Sequence, residues 1–132
     1  MSDVHRVRPL VPPGNWAATD PFLLLMEDWF PRGVFDVHPH RGIETVTFVL
    51  EGTVEHYDNH GNKGTIVPGD AQWLTAGRGL VHNEVPAAGQ TVHLLQLWVN
   101  LPRAHKLVPA QHQTLRADQA PVRREPGAEL RV

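Results

Sequence analysis

Apolar and polar positions along this chain change over short distances. Stretches rich in Val, Ile, Thr, Phe, Trp and Leu alternate with clusters bearing glycine and proline, and the 3.6-residue period of an amphipathic helix is hard to find anywhere. The pattern predicts strands over 22–30, 34–38, 43–50, 53–57, 65–67, 71–75, 80–85 and 91–99. Between them, Asp58-Asn59-His60-Gly61-Asn62-Lys63-Gly64 supplies residues tolerant of positive φ, and Pro68-Gly69-Asp70 presets a tight turn. Many short strands joined by such turns imply an all-β sandwich or barrel, and a barrel also removes exposed strand edges. A core over about 20–112 is expected, with irregular arms before it and from about Gln113 onward.

Alternation along the strands supplies a geometric clue, since side chains two apart share a face of a sheet. From 38 to 50 the even positions other than Gly42 are His38, His40, Glu44, Val46, Phe48 and Leu50, so a strand without a bulge sends both imidazoles to the apolar side. In 80–85 the matching pair is His82 and Glu84. Neighbouring strands place facing Cβ atoms ~4.5–5.5 Å apart and same-face neighbours ~6.5–7 Å apart, so two such pairs can converge on one ion. Three imidazoles and a carboxylate form a borderline set suited to Fe(II), Mn, Ni, Cu or Zn, in preference to Ca or Mg. Four polar groups left on an apolar face without an ion would each cost ~1–3 kcal/mol. Glu44 competes with Glu84 for the carboxylate position; Glu84 is preferred, and Glu44 is then a group that orients an imidazole or takes a proton from substrate. The remaining histidines, His5, His56, His60, His93, His105 and His112, are read as exposed or locally hydrogen-bonded, and Trp73 and Trp98 as core aromatics with a possible place in a pocket.

Composition narrows the chemistry. The 132 residues fit one compact domain, with 41% hydrophobic and 20% charged residues and a formal net charge of −2. The cations are scattered, so no nucleic-acid footprint is expected. Cysteine is absent, which removes disulfides, thiolate ligands and a cysteine nucleophile together. The first residues carry no signal-peptide pattern and no apolar run approaches the ~18 residues of a membrane span. A soluble, cytoplasmic protein is the expectation.

Two segments carry a family resemblance. His38-Pro39-His40-Arg41-Gly42-Ile43-Glu44-Thr45-Val46-Thr47-Phe48-Val49-Leu50-Glu51-Gly52 is similar to the first metal motif of the pirin family, a branch of the cupins. Pro68-Gly69-Asp70-Ala71-Gln72-Trp73-Leu74-Thr75-Ala76-Gly77-Arg78-Gly79-Leu80-Val81-His82-Asn83-Glu84 resembles the second, and Leu94-Leu95-Gln96-Leu97-Trp98-Val99-Asn100-Leu101-Pro102 the strand that follows. The resemblance covers roughly 20–115. It implies a single cupin, jelly-roll-like β-barrel over 1–132 with non-haem iron on His38, His40, His82 and Glu84.

Pirins include enzymes with quercetin 2,3-dioxygenase activity and regulators that act through protein partners, so the resemblance implies either a flavonol oxygenase, with Glu84 or Glu44 as base, or a non-catalytic metal or redox sensor. Arg41 and Arg78 would serve an anionic substrate or a partner's carboxylate, or else pair structurally with Glu51, Asp70 or Asp36. Pirins usually carry two cupin domains, with the metal in the first, and this sequence stops near where the second would begin. An exposed apolar flank and a homodimer assisted by 114–132 are therefore expected.

Overall fold

The computed structural model describes residues 4–131, and strands are their dominant secondary structure. In chain order the elements are β1 (Arg6–Val11), the four-residue helix α1 (Trp16–Thr19), β2 (Phe22–Pro31), β3 (His38–His40), β4 (Ile43–Glu51), β5 (Val54–Asp58), β6 (Lys63–Ile66), β7 (Ala71–Thr75), β8 (Leu80–Pro86), β9 (Thr91–Asn100), β10 (Gln111–Leu115), β11 (Val122–Glu125) and β12 (Ala128–Arg131). A six-stranded sheet has the order β1-β2-β9-β4-β7-β10, and a four-stranded sheet the order β3-β8-β5-β6. Every pairing is antiparallel. The strands β11 and β12 form a separate hairpin. The expected cupin-type all-β architecture is what the chain adopts.

Phe30, Val49, Val92 and Leu94 of the large sheet pack with Val54 and Ile66 of the small one, all at most 4% exposed. Each such side chain contributes ~1.5–3 kcal/mol by leaving water, which closes this end of the sandwich. Leu74, Ala76 and Leu80 form a second apolar cluster. The interior also holds buried polar side chains, among them Thr45, Thr47, Gln72, His56, His82 and Glu84.

Three expectations need correction. The run 34–38 is not a strand: the chain turns through 34–37, Val34 packs against the core, and pairing starts only at His38. The arms are not irregular, because β1 pairs with β2, β10 pairs with β7, and β11 with β12. These are edge or free-standing strands whose side chains are mostly exposed, so backbone bonding holds them without any apolar alternation.

The third correction concerns parity. In β4 the odd residues Thr45, Thr47 and Val49 are the buried ones, and Phe48 is exposed. The segment 38–51 is not one strand: β3 belongs to the small sheet and β4 to the large one. Arg41 and Gly42 make the crossing, with Gly42 at φ +70°, a backbone region that side chains rarely tolerate. The Gly42 amide donates to the Gly77 carbonyl at 2.7 Å, and its own carbonyl accepts from Lys106 Nζ at 2.9 Å. Gly77 is equally constrained, since a Cβ there would lie 2.1 Å from the Val108 carbonyl oxygen.

The turn before β7 is fastened by Asp70, whose carboxylate accepts from Arg116 Nη1 at 2.7 Å, the Ala117 amide at 2.9 Å and the Val67 amide at 3.3 Å. Burial pushes this carboxyl up, but the Ala117 amide, Arg116 and the Val67 amide outweigh it and hold the group below its ordinary value. Asp70→Asn is expected to destabilise the chain by ~2 kcal/mol, as for a buried charge-assisted hydrogen-bond set, read by urea unfolding. Because the folded pKa is the lowered one, this stabilisation is fully present above the unfolded value near 3.8 and disappears as pH falls through the folded value. The wild type and the variant should therefore converge in strong acid.

Candidate metal centre

The strands β3 and β8 run side by side with His38 directly opposite His82 and His40 opposite Leu80. Alternation puts His38 and His40 on one face of β3, and the same face of β8 carries His82. Their ring centroids lie 4.6–4.9 Å apart, and one nitrogen from each ring falls within 4.8 Å of the other two. His38 Nε2 and His82 Nε2 are 3.1 Å apart. Ligands at about 2.1 Å from one ion are separated by about 3.0–3.4 Å when they subtend octahedral or tetrahedral angles. The His38–His82 separation fits that geometry.

The protonation states suit ligation as well. His38 Nδ1 donates to the Asp36 carbonyl at 2.7 Å, which leaves the lone pair on Nε2. Burial, followed by the neighbouring His38, lowers His40 to about 4. Burial, followed by His40, His38 and His56, lowers His82 to about 3. Both rings are neutral at physiological pH, with a lone pair to donate.

Glu84 lies two residues beyond His82 on β8 and is buried. Its Oε1 accepts from Thr47 Oγ1 at 2.8 Å and its Oε2 from Gln96 Nε2 at 2.9 Å, both reaching across from the large sheet. Trp98 Nε1 donates in turn to Gln96 Oε1 at 3.1 Å. Burial raises the Glu84 pKa despite the donors, so the charged carboxylate is disfavoured where it stands. Glu84 lines the same cavity as His38 and His40 but stands outside the tight cluster of three imidazoles.

Glu44 does not enter the site. It lies on the outer face of β4, where Thr75 Oγ1 donates to its Oε1 at 2.6 Å. The crossing at Gly42 reverses which parity points inward, and an assignment based on continuous alternation therefore fails for this residue. Trp98 is in the cavity wall and packs edge-on to His40 at 5.1 Å. Trp73 is 38% exposed on the outside of the large sheet, not in the core.

The cavity, of about 640 Å³, has an apolar and aromatic wall that includes Leu23, Phe30, Phe35, Val37 and Trp98. Arg41 lines it too. The structural pairing considered for the arginines does not involve Asp70, which is taken by Arg116.

Sequence reasoning missed three contributors. Gln96 is the polar residue alternating with Leu94 and Trp98 on β9, a signal that marks an inward polar group. His56 and Asp58 alternate with Val54 on β5 in the same way. His56 is only 3% exposed, and neither ring nitrogen has a hydrogen-bond partner, so it is not one of the exposed or locally satisfied histidines.

The family model described as Pirin matches residues 6–99. Pirin from Rattus norvegicus is 47% identical over 115 residues, 86% of this chain and 40% of that protein. Among solved structures, GK1651 from Geobacillus kaustophilus superposes with a TM-score of 0.94 at 59% identity, covering 98% of this chain and 52% of that one. A quercetin 2,3-dioxygenase from Acinetobacter baumannii gives a TM-score of 0.67 at 39% identity, covering 78% and 40%. The bacterial pirin YhhW from Escherichia coli, in complex with nickel(II), gives 0.69 at 29% identity, covering 83% and 50%. The chain spans about two fifths of the length of the curated relatives it matches. No helix among the described residues is long and apolar enough to cross a membrane. A family match over most of the chain, at this level of identity and with both histidine motifs brought together in one site, means that the chain belongs to the pirin family.

Proposed function

We propose that the chain binds one divalent transition metal, Fe(II) in its working form, through His38, His40, His82 and Glu84, and that it oxygenates flat, flavonol-like substrates. The observation that carries this reading is the convergence of three imidazoles, two of which, His38 and His40, line an aromatic-walled cavity. The donor set is borderline in hardness and suits iron, manganese, nickel, copper or zinc. The nickel(II) complex of one relative and the dioxygenase name of another lend support to the metal and the reaction respectively.

The ion, held by these four residues, would supply Lewis acidity and a centre for dioxygen activation. The chain's own residues do the rest. Trp98, Phe30 and Phe35 provide faces against which a flat ring packs, and a cavity of about 640 Å³ admits a three-ring molecule. Arg41, at the cavity wall, compensates the negative charge of a deprotonated hydroxyl. Glu84, which lines the cavity with His38 and His40, is the carboxylate placed to accept that proton, while Thr47 and Gln96 hold its oxygens in line.

Substitution tests the ligand set. His38→Ala and His82→Ala should retain the fold by circular dichroism and lose stoichiometric metal on elemental analysis. Glu84→Gln should bind metal more weakly than the wild type, since an amide is a poorer ligand than a carboxylate for such an ion, whereas Glu44→Gln should load like the wild type. Greater loss from Glu44→Gln would reverse the carboxylate assignment.

An anaerobic flavonol titration of the iron-loaded protein tests the reaction. A charge-transfer shift on binding, followed by oxygen-dependent turnover, is expected. Stoichiometric iron with neither response would discard the oxygenase and favour a non-catalytic metal or redox sensor acting through a protein partner.

A further inference from the structure

Behind the three imidazoles lies a second group of buried polar side chains with no part in the chemistry above. His56 on β5 faces His82 with ring centroids 5.5 Å apart. On its other side, His112 of β10 stacks almost parallel at 4.9 Å and 12°. The His112 ring is fixed by Gln72, whose Nε2 donates to its Nε2 at 3.0 Å. Asp58 stands opposite His82 in the β5–β8 register, and its Oδ2 is 3.6 Å from His56 Nε2.

The hydrogen bonding of this group is incomplete in an informative way. His82 turns Nε2 toward His38, so in the ligating tautomer its proton sits on Nδ1. That Nδ1 is buried and unpartnered, as are both nitrogens of His56. His38 solves the same problem with the Asp36 carbonyl. A ligating histidine nearly always donates its second N–H to a carbonyl, a carboxylate or a water, and three orphaned nitrogens in one buried neighbourhood each cost ~1–3 kcal/mol. One water molecule with two to four polar neighbours satisfies such a set.

We propose that His56 is a positioning residue for the metal centre: through one ordered water, also within reach of Asp58, it accepts the Nδ1–H of His82 and fixes that ring with Nε2 toward the ion. The proposal rests on the ligand set proposed above. His112 and Gln72 act one step further out, holding the His56 ring in plane. The arrangement is costly to the fold, because a buried imidazole stands where an apolar side chain would pack without loss, and the benefit is delivered only when metal binds.

The test uses the full chain and Ni(II) alone, titrated in competition with a chromophoric chelator, with thermal unfolding of the metal-free protein alongside. His56→Leu is expected to bind one Ni(II) about 10–100-fold more weakly than the wild type, with an unfolding midpoint equal or higher. His56→Gln, which restores a hydrogen-bonding end, is expected to recover much of the affinity. A third readout needs no variant: the Nδ1–H of His82 in the nickel-free wild type, followed by ¹⁵N NMR, should be protected from solvent exchange. Unchanged affinity in His56→Leu, equal losses in the Leu and Gln variants, or a freely exchanging Nδ1–H would each overturn the role of His56. Failure of the wild type itself to take up Ni(II) would overturn the ligand set, and this proposal with it. If His56→Leu does not fold, His56→Met, which fills the site without a hydrogen-bonding nitrogen, takes its place in the comparison with His56→Gln.

Discussion

The site depends on the change of sheet at Arg41–Gly42. Only three residues, His38 to His40, pair with β8, and this short strand places two imidazoles across from a third. Two residues later the chain is in the other sheet and its inward parity has reversed. Were β3 and β4 continuous, the histidines and the packing residues Thr45, Thr47 and Val49 could not both face inward. The positive φ of Gly42, the amide bond to Gly77 and the Lys106 contact all serve to hold that crossing in place.

The second governing feature is a polar tier inside an otherwise apolar sandwich. The valine-rich cluster and the Leu74–Leu80 cluster provide the burial that keeps the sheets together. Around the imidazoles, Thr47, Gln72, Gln96, Glu84, His56 and Asp58 bring polar atoms into the low-dielectric interior, where each satisfied hydrogen bond is strong and each unsatisfied one is costly. Depressed imidazole pKa values and a raised carboxylate pKa both follow from this burial. Burial therefore prepares neutral nitrogen donors and, at the same point, a carboxylate that a cation would stabilise.

Much of this was legible in the residues themselves. The hairpin turns, the paired histidines and the inner strands follow from glycine, proline and alternation, since those inner strands bury one face and so carry a periodic signal. The edge strand β1 and the hairpin β11–β12 carry none, because exposed strands need only backbone partners. Glu44 was misplaced for a different reason: alternation propagates an error through every residue beyond an unrecognised break, and a single positive-φ glycine was the break. His56 left a trace in its spacing from Val54 and Asp58, but a histidine two residues from an aspartate is equally at home on a surface. Its burial depends on β10 closing over it, which is a long-range contact.

The division of labour between the sheets has a mechanical consequence. All three imidazoles ride on β3 and β8 of the small sheet, whereas the donors that restrain Glu84, Thr47 and Gln96, ride on β4 and β9 of the large one. A slight shear of one sheet over the other leaves the nitrogen triangle and the Glu84 backbone together on the small sheet and displaces only the two donors that restrain the carboxylate. The proposed centre would thus be framed by one sheet and its carboxylate aimed by the other, so that changes in β4 or β9 can retune the carboxylate without dismantling the imidazole cluster.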